Sequence, residues 1–183
     1  ILPTLVPALR HEYGSIKRNA AYCIGNMSIY AKDHVAPYMK AILENLFMTL
    51  STVQQQDKSA ADNACSCVAR IMTSFGQQVP IDQIFPVFIA ALPLREDFME
   101  NEAVFNCILL LFASGHPAIA KHMMQVMSLF AKSLLPTSQV PQQIQMQIVQ
   151  TVAQFKAKYA DQYQQVLNAL VPEEKQAFAA RIQ

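Results

Sequence analysis

The chain has 183 residues, of which 52% are apolar and 15% are charged, and its formal net charge is +1. This length suits one folded domain or a slice of a longer protein, and the apolar fraction is ample for a core. The near-zero net charge argues against a polyanionic or polycationic partner for the chain as a whole. No apolar run approaches the roughly 18–20 residues that a bilayer-spanning helix needs. Because the sequence opens on an apolar phrase without a cap or a targeting signal, we interpret it as a piece of a larger protein.

Helical periodicity runs along the whole chain. Apolar side chains recur three and four residues apart, as in Ile42, Leu46 and Leu50, which predicts helices that bury one face. Proline mostly lies at or near the junctions between these segments, where helices tolerate it. Strand signals are missing, since the sequence has no sustained alternation and no Asn-Gly turn. In chain order, the predicted helix pairs cover approximately residues 1–30, 35–75, 81–115 and 117–158, with terminal helices at 160–183.

One phrase is repeated along the chain. The copies read "IKRNAAYCIGNM", "SAADNACSCVARIM" and "NEAVFNCILLLFAS", and they align on Asn19, Asn63 and Asn106 at spacings of 44 and 43 residues. A weaker fourth copy has Gln147 in the same place, 41 residues further on. This period is that of HEAT repeats, helix pairs that bury their apolar faces by stacking. The sequence therefore predicts an all-α fold, an α-solenoid of about four repeats. The alternative, an ordinary helical bundle, would not be expected to keep one register three times.

The four cysteines lie inside helical apolar patterns, which predicts buried, reduced thiols and a cytosolic or nuclear compartment. Cys65 and Cys67 form a C-x-C pair, but side chains two apart on a helix point about 200° apart, which is unsuitable for one metal. The sequence contains no Gly-rich phosphate loop, no G-x-S-x-G and no H-E-x-x-H pattern. We therefore expect no enzyme activity, no metal and no cofactor.

Charge is unevenly distributed, and the middle third is acidic. Residues 57–116 carry three Lys/Arg and seven Asp/Glu, whereas the flanking thirds are net positive. Four of these acids crowd into seven residues at the start of the third repeated helix. Helix capping explains one or two of them, but clustered like charges repel and cost stability. The cluster, which consists of Glu96, Asp97, Glu100 and Glu102, therefore predicts a site for cationic side chains.

The recurring asparagines extend this candidate site. Asparagine is a poor residue for a helix interior, so its recurrence needs a reason. One reason is a structural bond from the amide to the preceding inter-helix turn. The other is that the amides bind the N–H and C=O groups of an extended peptide, while nearby carboxylates bind its lysines. The candidate peptide-binding residues are Asn19, Tyr22, Asp62, Asn63, Ser66, Glu96, Asp97, Glu100, Glu102 and Asn106.

Two of the repeated phrases, "IKRNAAYCIGNM" and "ADNACSCVARIM", resemble the second helices of HEAT repeats in the importin-β family of karyopherins. The phrase "IFPVFIAALPLREDFMENEAVFNCILLLFASGHP" is similar to the C-terminal region of importin-4-type members of the family. The importin-5 group carries a similar phrase and stays open as a neighbour. The resemblance covers nearly the whole chain and is strongest from Lys17 to Pro117.

The resemblance implies nuclear import by a monomeric receptor that shuttles between cytoplasm and nucleus. Its second helices would line a concave, cargo-binding face. The cargo would be basic segments of histones H3 and H4 or of ribosomal proteins. RanGTP would bind only N-terminal repeats that this chain lacks, and neither nucleic acid nor membrane would be a partner. The alternative is a HEAT scaffold that binds a folded protein without an extended-peptide groove.

Overall fold

The computed structural model describes residues 1–51 and 57–182, and the regular structure in this part of the chain is entirely helical. The predicted fold class, an all-α fold of the HEAT-repeat solenoid type, is therefore confirmed. Within the described residues, no helix combines the length and the hydropathy that a membrane span requires. The chain divides into two compact units, with the division between Cys107 and Ile108.

The first unit contains the first two repeated phrases and the beginning of the third. Short 3-10 segments at Ala36–Tyr38, Gly76–Gln78 and Phe98–Glu100 lead into or out of the longer helices. Its α-helices are α1 (Leu2–Ala8), α2 (Gly14–Tyr30), α3 (Lys32–Val35), α4 (Met39–Ser51), α5 (Lys58–Phe75), α6 (Ile81–Ala90) and the beginning of α7 (Asn101–Ala113).

Helix α5 is the core helix of the first unit, and it packs against α2, α4 and α6. All residues from 60 to 69 are buried, which small side chains (alanine, cysteine, serine) make possible. At Gly25 of α2, an added Cβ would lie 3.2 Å from the Cα of Cys67, so the two helices approach closely. The N-terminus of α5 is capped by Asp57, whose Oδ1 accepts the N–H of Ala60 at 2.9 Å. Such a cap contributes about 1 kcal/mol.

The second unit begins inside α7 and is built around aromatic side chains. The rings of Phe112 and Phe130 lie 6.1 Å apart, and those of Phe112 and Phe155 lie 5.8 Å apart. The last helix of this unit packs against the helix Met123–Ser133. The further helices are α8 (Pro117–Lys121), α9 (Met123–Ser133), α10 (Gln142–Lys158), α11 (Ala160–Ala169) and α12 (Pro172–Arg181).

A buried carboxylate joins α9 to α12 in the second unit. Glu174 of α12 is only 5% exposed. Its Oε1 accepts a hydrogen bond from Ser128 Oγ at 2.7 Å and lies 3.6 Å from the Lys132 ammonium group. The polar partners stabilise a charge that would otherwise be costly to bury.

The prediction of four buried thiols is correct for three cysteines and wrong for Cys23. Cys65, Cys67 and Cys107 are buried, but Cys23 is exposed. On α2 it lies on the same helical face as Asn19 and Tyr22, which are also exposed. Cys23 and Cys67 occupy the same position of the repeated phrase. All faces of α5 are buried from residue 60 to residue 69, whereas α2 has an exposed face.

Candidate functional site

The acidic turn between α6 and α7 is held on α5 by a buried carboxylate. Asp62 is 1% exposed. Its Oδ2 accepts the backbone N–H groups of Arg95 at 3.0 Å, Glu96 at 2.7 Å and Asp97 at 2.8 Å. Hydrogen bonds to a charged acceptor are stronger than neutral ones, so three consecutive ones fix the backbone of the turn. Asp62 was predicted to contact a peptide, and the structure places it beneath the turn.

The amide of Asn63 is bonded within the protein. Its Nδ2 donates to the backbone carbonyl of Ser59 at 3.0 Å and to Asp97 Oδ2 at 2.8 Å. Asn63 itself is 2% exposed. The amide thus bonds to an inter-helix turn, as the structural reason for the recurring asparagines requires, but to a later turn and not to the one that precedes the helix. Its partner Asp97 lies in the turn between α6 and α7, 34 residues after Asn63 in the chain.

Glu100, the third acid of the cluster, is neutralised by an arginine. Arg70 Nη1 lies 2.6 Å from Glu100 Oε2, and the two side chains are 14% and 7% exposed. Ser66 Oγ contacts both groups, accepting from Arg70 and donating to Glu100. The Arg70 guanidinium also lies over the ring of Tyr22 on α2, 5.8 Å from its centroid. This network connects α2, α5 and the turn before α7.

Arg70 is the member of this network that is absent from the candidate residues predicted from the sequence. Its signal was present, because Arg70 follows Asn63 and Ser66 at helical spacing and is a cation on a face otherwise rich in acids. An internal arginine beside an acidic cluster reduces the charge that the cluster can offer to a ligand. The cluster therefore carries less free negative charge than its sequence suggests.

The remaining predicted residues are accessible to solvent. Glu96 lies 3.9 Å from the Lys58 ammonium group, and both side chains are about half exposed, at 52% and 58%. Exposed pairs of this kind are worth roughly 0–1 kcal/mol. Asp97 is half-buried, whereas Glu102 and Asn106 are exposed. Because they are four residues apart on α7, Glu102 and Asn106 share one face of that helix.

The structure thus separates the ten predicted residues into two groups. The buried residues, brought together beneath or within the turn, are Asp62, Asn63, Ser66 and Glu100. The residues that a ligand can reach are Asn19, Tyr22, Glu96, Asp97, Glu102 and Asn106. The first group orders the turn, and the second offers hydrogen-bonding groups and negative charge at the surface.

The buried thiols do not provide a nucleophile. Burial raises the pKa of Cys67 and of Cys107 to about 12, although Arg70 and a hydrogen bond with Thr73, respectively, act in the opposite direction. Burial and the nearby charge of Asp62 also raise the pKa of Cys65 well above its ordinary value. The reactive form of cysteine is the thiolate, so these side chains are inert at neutral pH. Among the described residues, no group of three or more His, Cys, Asp or Glu side chains could hold a metal ion.

Comparison with known proteins identifies similar chains. No family model matches the sequence. It is 26% identical over 170 residues to probable importin subunit beta-4 of Schizosaccharomyces pombe, which covers 92% of this chain and 15% of that protein. It is 20% identical over 183 residues to human importin-4, covering 98% of this chain and 16% of that protein. The chain therefore spans about one sixth of the length of these curated relatives. Because these relatives are importins, the resemblance to the importin-β family inferred from the repeated phrases is confirmed.

Proposed function

We propose that this chain is part of the cargo-binding region of a nuclear import receptor. It would bind basic localisation segments, such as those of histones H3 and H4 or of ribosomal proteins. Two relatives named importins, which this chain matches over 92–98% of its length, support the proposal. In the whole protein, RanGTP would bind repeats outside this chain, and the receptor would move between cytoplasm and nucleus. The proposal requires no catalysis, metal or cofactor.

The observation that carries the proposal is the ordered acidic turn. The carboxylate of Asp62 holds its backbone, Asn63 holds the Asp97 side chain, and Arg70 holds Glu100. A ligand that binds this turn does not have to order it first. Preorganisation of this kind improves affinity because less conformational entropy is lost on binding.

The groups that would contact a cargo cation are the exposed acids. Glu96 is paired only weakly with Lys58, so a lysine or arginine of the cargo could replace that partner. In the sequence, the half-buried Asp97 follows Glu96 in the turn, and the exposed Glu102 lies in the first turn of α7. The net charge of residues 57–116 is −4, which would steer a basic segment toward this part of the chain.

The buried polar residues have a supporting role in this proposal. Both N–H groups of the Asn63 amide have acceptors within the protein, so this side chain would not donate to a peptide backbone. The exposed amides of Asn19 and Asn106 and the half-exposed ring of Tyr22 remain for such contacts. Peptide recognition would therefore depend more on charge than on a continuous row of asparagines.

The experiment is a calorimetric titration of the chain with an unstructured histone H3 tail peptide. Neutralising the two exposed acids, with Glu96→Gln and Glu102→Gln together, should weaken binding by about tenfold or more, because charge-assisted contacts are lost. The matched control is Glu44→Gln, which removes an exposed acid from α4 and should leave binding unchanged. Binding should also weaken as salt is added. Equal affinity of the double variant and the wild type would contradict the proposal. Binding of folded histones but not of the tail would favour the folded-partner alternative.

A further inference from the structure

The second unit contains a cavity that the proposed cargo site does not use. Its volume is about 460 Å³, which is within the usual range of roughly 300–1,000 Å³ for ligand pockets. It lies between the end of α7, the short helix α8, the C-terminal half of α10 and the beginning of α11. All of its lining residues belong to this one unit.

One wall of the cavity is aromatic. The rings of Phe112 and Phe155 meet edge to face at 5.8 Å, and those of Phe155 and Tyr159 lie 5.5 Å apart. Ile119 and Met123 also line the cavity. Tyr159 is 42% exposed, so the aromatic row extends from the core to the surface. Aromatic rings favour further rings in offset or edge-to-face contact. This wall fits an aromatic side chain.

Two side chains that line the cavity, Lys158 and His116, can donate hydrogen bonds to a ligand. The ammonium group of Lys158 lies 5.1 Å from the ring centroid of Tyr159. The Nδ1 of His116 accepts the N–H of Ala118 at 3.2 Å. The proton of the neutral imidazole ring is therefore on Nε2, which can only donate. No Asp or Glu is among the described residues that line the cavity.

We propose that this cavity docks an acidic segment of a partner protein that carries an aromatic side chain next to a carboxylate. The aromatic ring would pack against Phe155 and Tyr159, and the carboxylate would pair with Lys158. The charge of this ligand is opposite to that of the cargo proposed for the acidic turn. It is consistent with the net charge of +3 of residues 117–183. The inference does not depend on the proposed import function.

The test uses four labelled peptides and fluorescence anisotropy with the whole chain. GSDFEGS carries the proposed combination of ring and acid. GSDAEGS lacks the ring, GSSFSGS lacks the charge, and GSKFKGS reverses the charge. GSDFEGS should bind at least about tenfold more tightly than GSDAEGS and GSSFSGS, since each of these loses one of the two contacts. GSKFKGS, which could bind the acidic turn instead, should not displace labelled GSDFEGS. If GSSFSGS binds equally well, the cavity is only an apolar groove, and if GSDAEGS binds equally well, the attraction is only a general one for acids. Either result, or no binding of GSDFEGS, would overturn the proposal.

Two variants locate the binding in the cavity. Lys158→Glu should reduce the affinity for GSDFEGS by about tenfold or more and improve binding of GSKFKGS. Ala120→Phe adds a ring to an exposed alanine of the lining and should block binding without disturbing the core. The matched charge control is Lys40→Glu, on an exposed position of α4 in the first unit, which should leave binding unchanged. Unchanged binding by both cavity variants would place the peptide elsewhere and overturn the proposal.

Discussion

The buried carboxylate of Asp62 accepts a hydrogen bond of 2.7 Å from the backbone N–H of Glu96. The buried Asp62 on α5 thus fixes the backbone at the exposed Glu96. The same oxygen binds the two neighbouring N–H groups, so one side chain of the core determines how the turn is presented. Stability of the fold and presentation of the acidic surface are coupled at this residue.

Removing the Asp62 carboxylate should destabilise the first unit. Asp62→Ala leaves three backbone donors of the turn without their acceptor, and we expect a loss of about 3 kcal/mol. Asp62→Asn keeps one acceptor oxygen and should cost less. Urea unfolding followed by circular dichroism measures the free energy of unfolding. Asp33→Ala, at an exposed acid of α3, is the control and should change stability by no more than about 0.5 kcal/mol.

The Arg70–Glu100 pair should show strong coupling. Arg70→Met removes the cation and leaves a carboxylate that is 7% exposed without its charge partner, which should cost about 3–5 kcal/mol. Combining it with Glu100→Gln removes the uncompensated charge, so the double variant should recover a large part of that loss. The double-mutant cycle is measured by urea unfolding. Additive effects of the two substitutions would show that the two side chains do not depend on each other.

Thiol reactivity should distinguish one cysteine from the other three. Cys23 is exposed, whereas Cys65, Cys67 and Cys107 are buried, and buried thiols react only when the chain opens. A colorimetric disulfide reagent should therefore react with one thiol quickly in the native protein and with all four in denaturant. Cys23→Ser should abolish the fast phase. A fast phase that persists in this variant would show that a buried thiol is accessible.

Stability should fall at alkaline pH because of the buried thiols. The pKa of Cys67 and of Cys107 is raised by burial from 9.0 to about 12. Below pH 9 both the folded and the unfolded chain hold these protons. Between pH 9 and 12 the unfolded chain loses them first, so each thiol lowers the free energy of unfolding by about 1.4 kcal/mol per pH unit.

The variant Cys67→Ala/Cys107→Ala isolates this effect. Its free energy of unfolding should decline less steeply than that of the wild type between pH 9 and 10, as measured by urea unfolding. Leu46→Ala, which truncates another fully buried side chain, should be less stable but keep the wild-type pH dependence. Identical slopes for all three proteins would show that the thiols do not contribute.

The sequence predicts the helices better than it predicts the surroundings of their polar residues. Periodicity is a local property, so apolar spacing is sufficient to predict helices such as α4 and α5. Whether Asp62 faces solvent depends on the path of residues 95–97, which are more than 30 positions away and have no periodic signal. Asn63 illustrates the same limit, because the recurrence of asparagine indicates a role for the amide but does not distinguish an internal partner from an external one. Cys23 is exposed although its register matches that of Cys67, since burial depends on which helices lie beside each one.

Charge reversal at the accessible acids tests the central claim most directly. The variant Glu96→Lys/Glu102→Lys is titrated calorimetrically with a basic peptide, the histone H3 tail, and with an acidic peptide of the same length. The wild type should bind only the basic peptide at the turn. The variant should lose that binding and gain affinity for the acidic one, while its circular dichroism spectrum stays that of the wild type. If the variant binds the basic peptide as tightly as the wild type does, the acidic turn is not the cargo site.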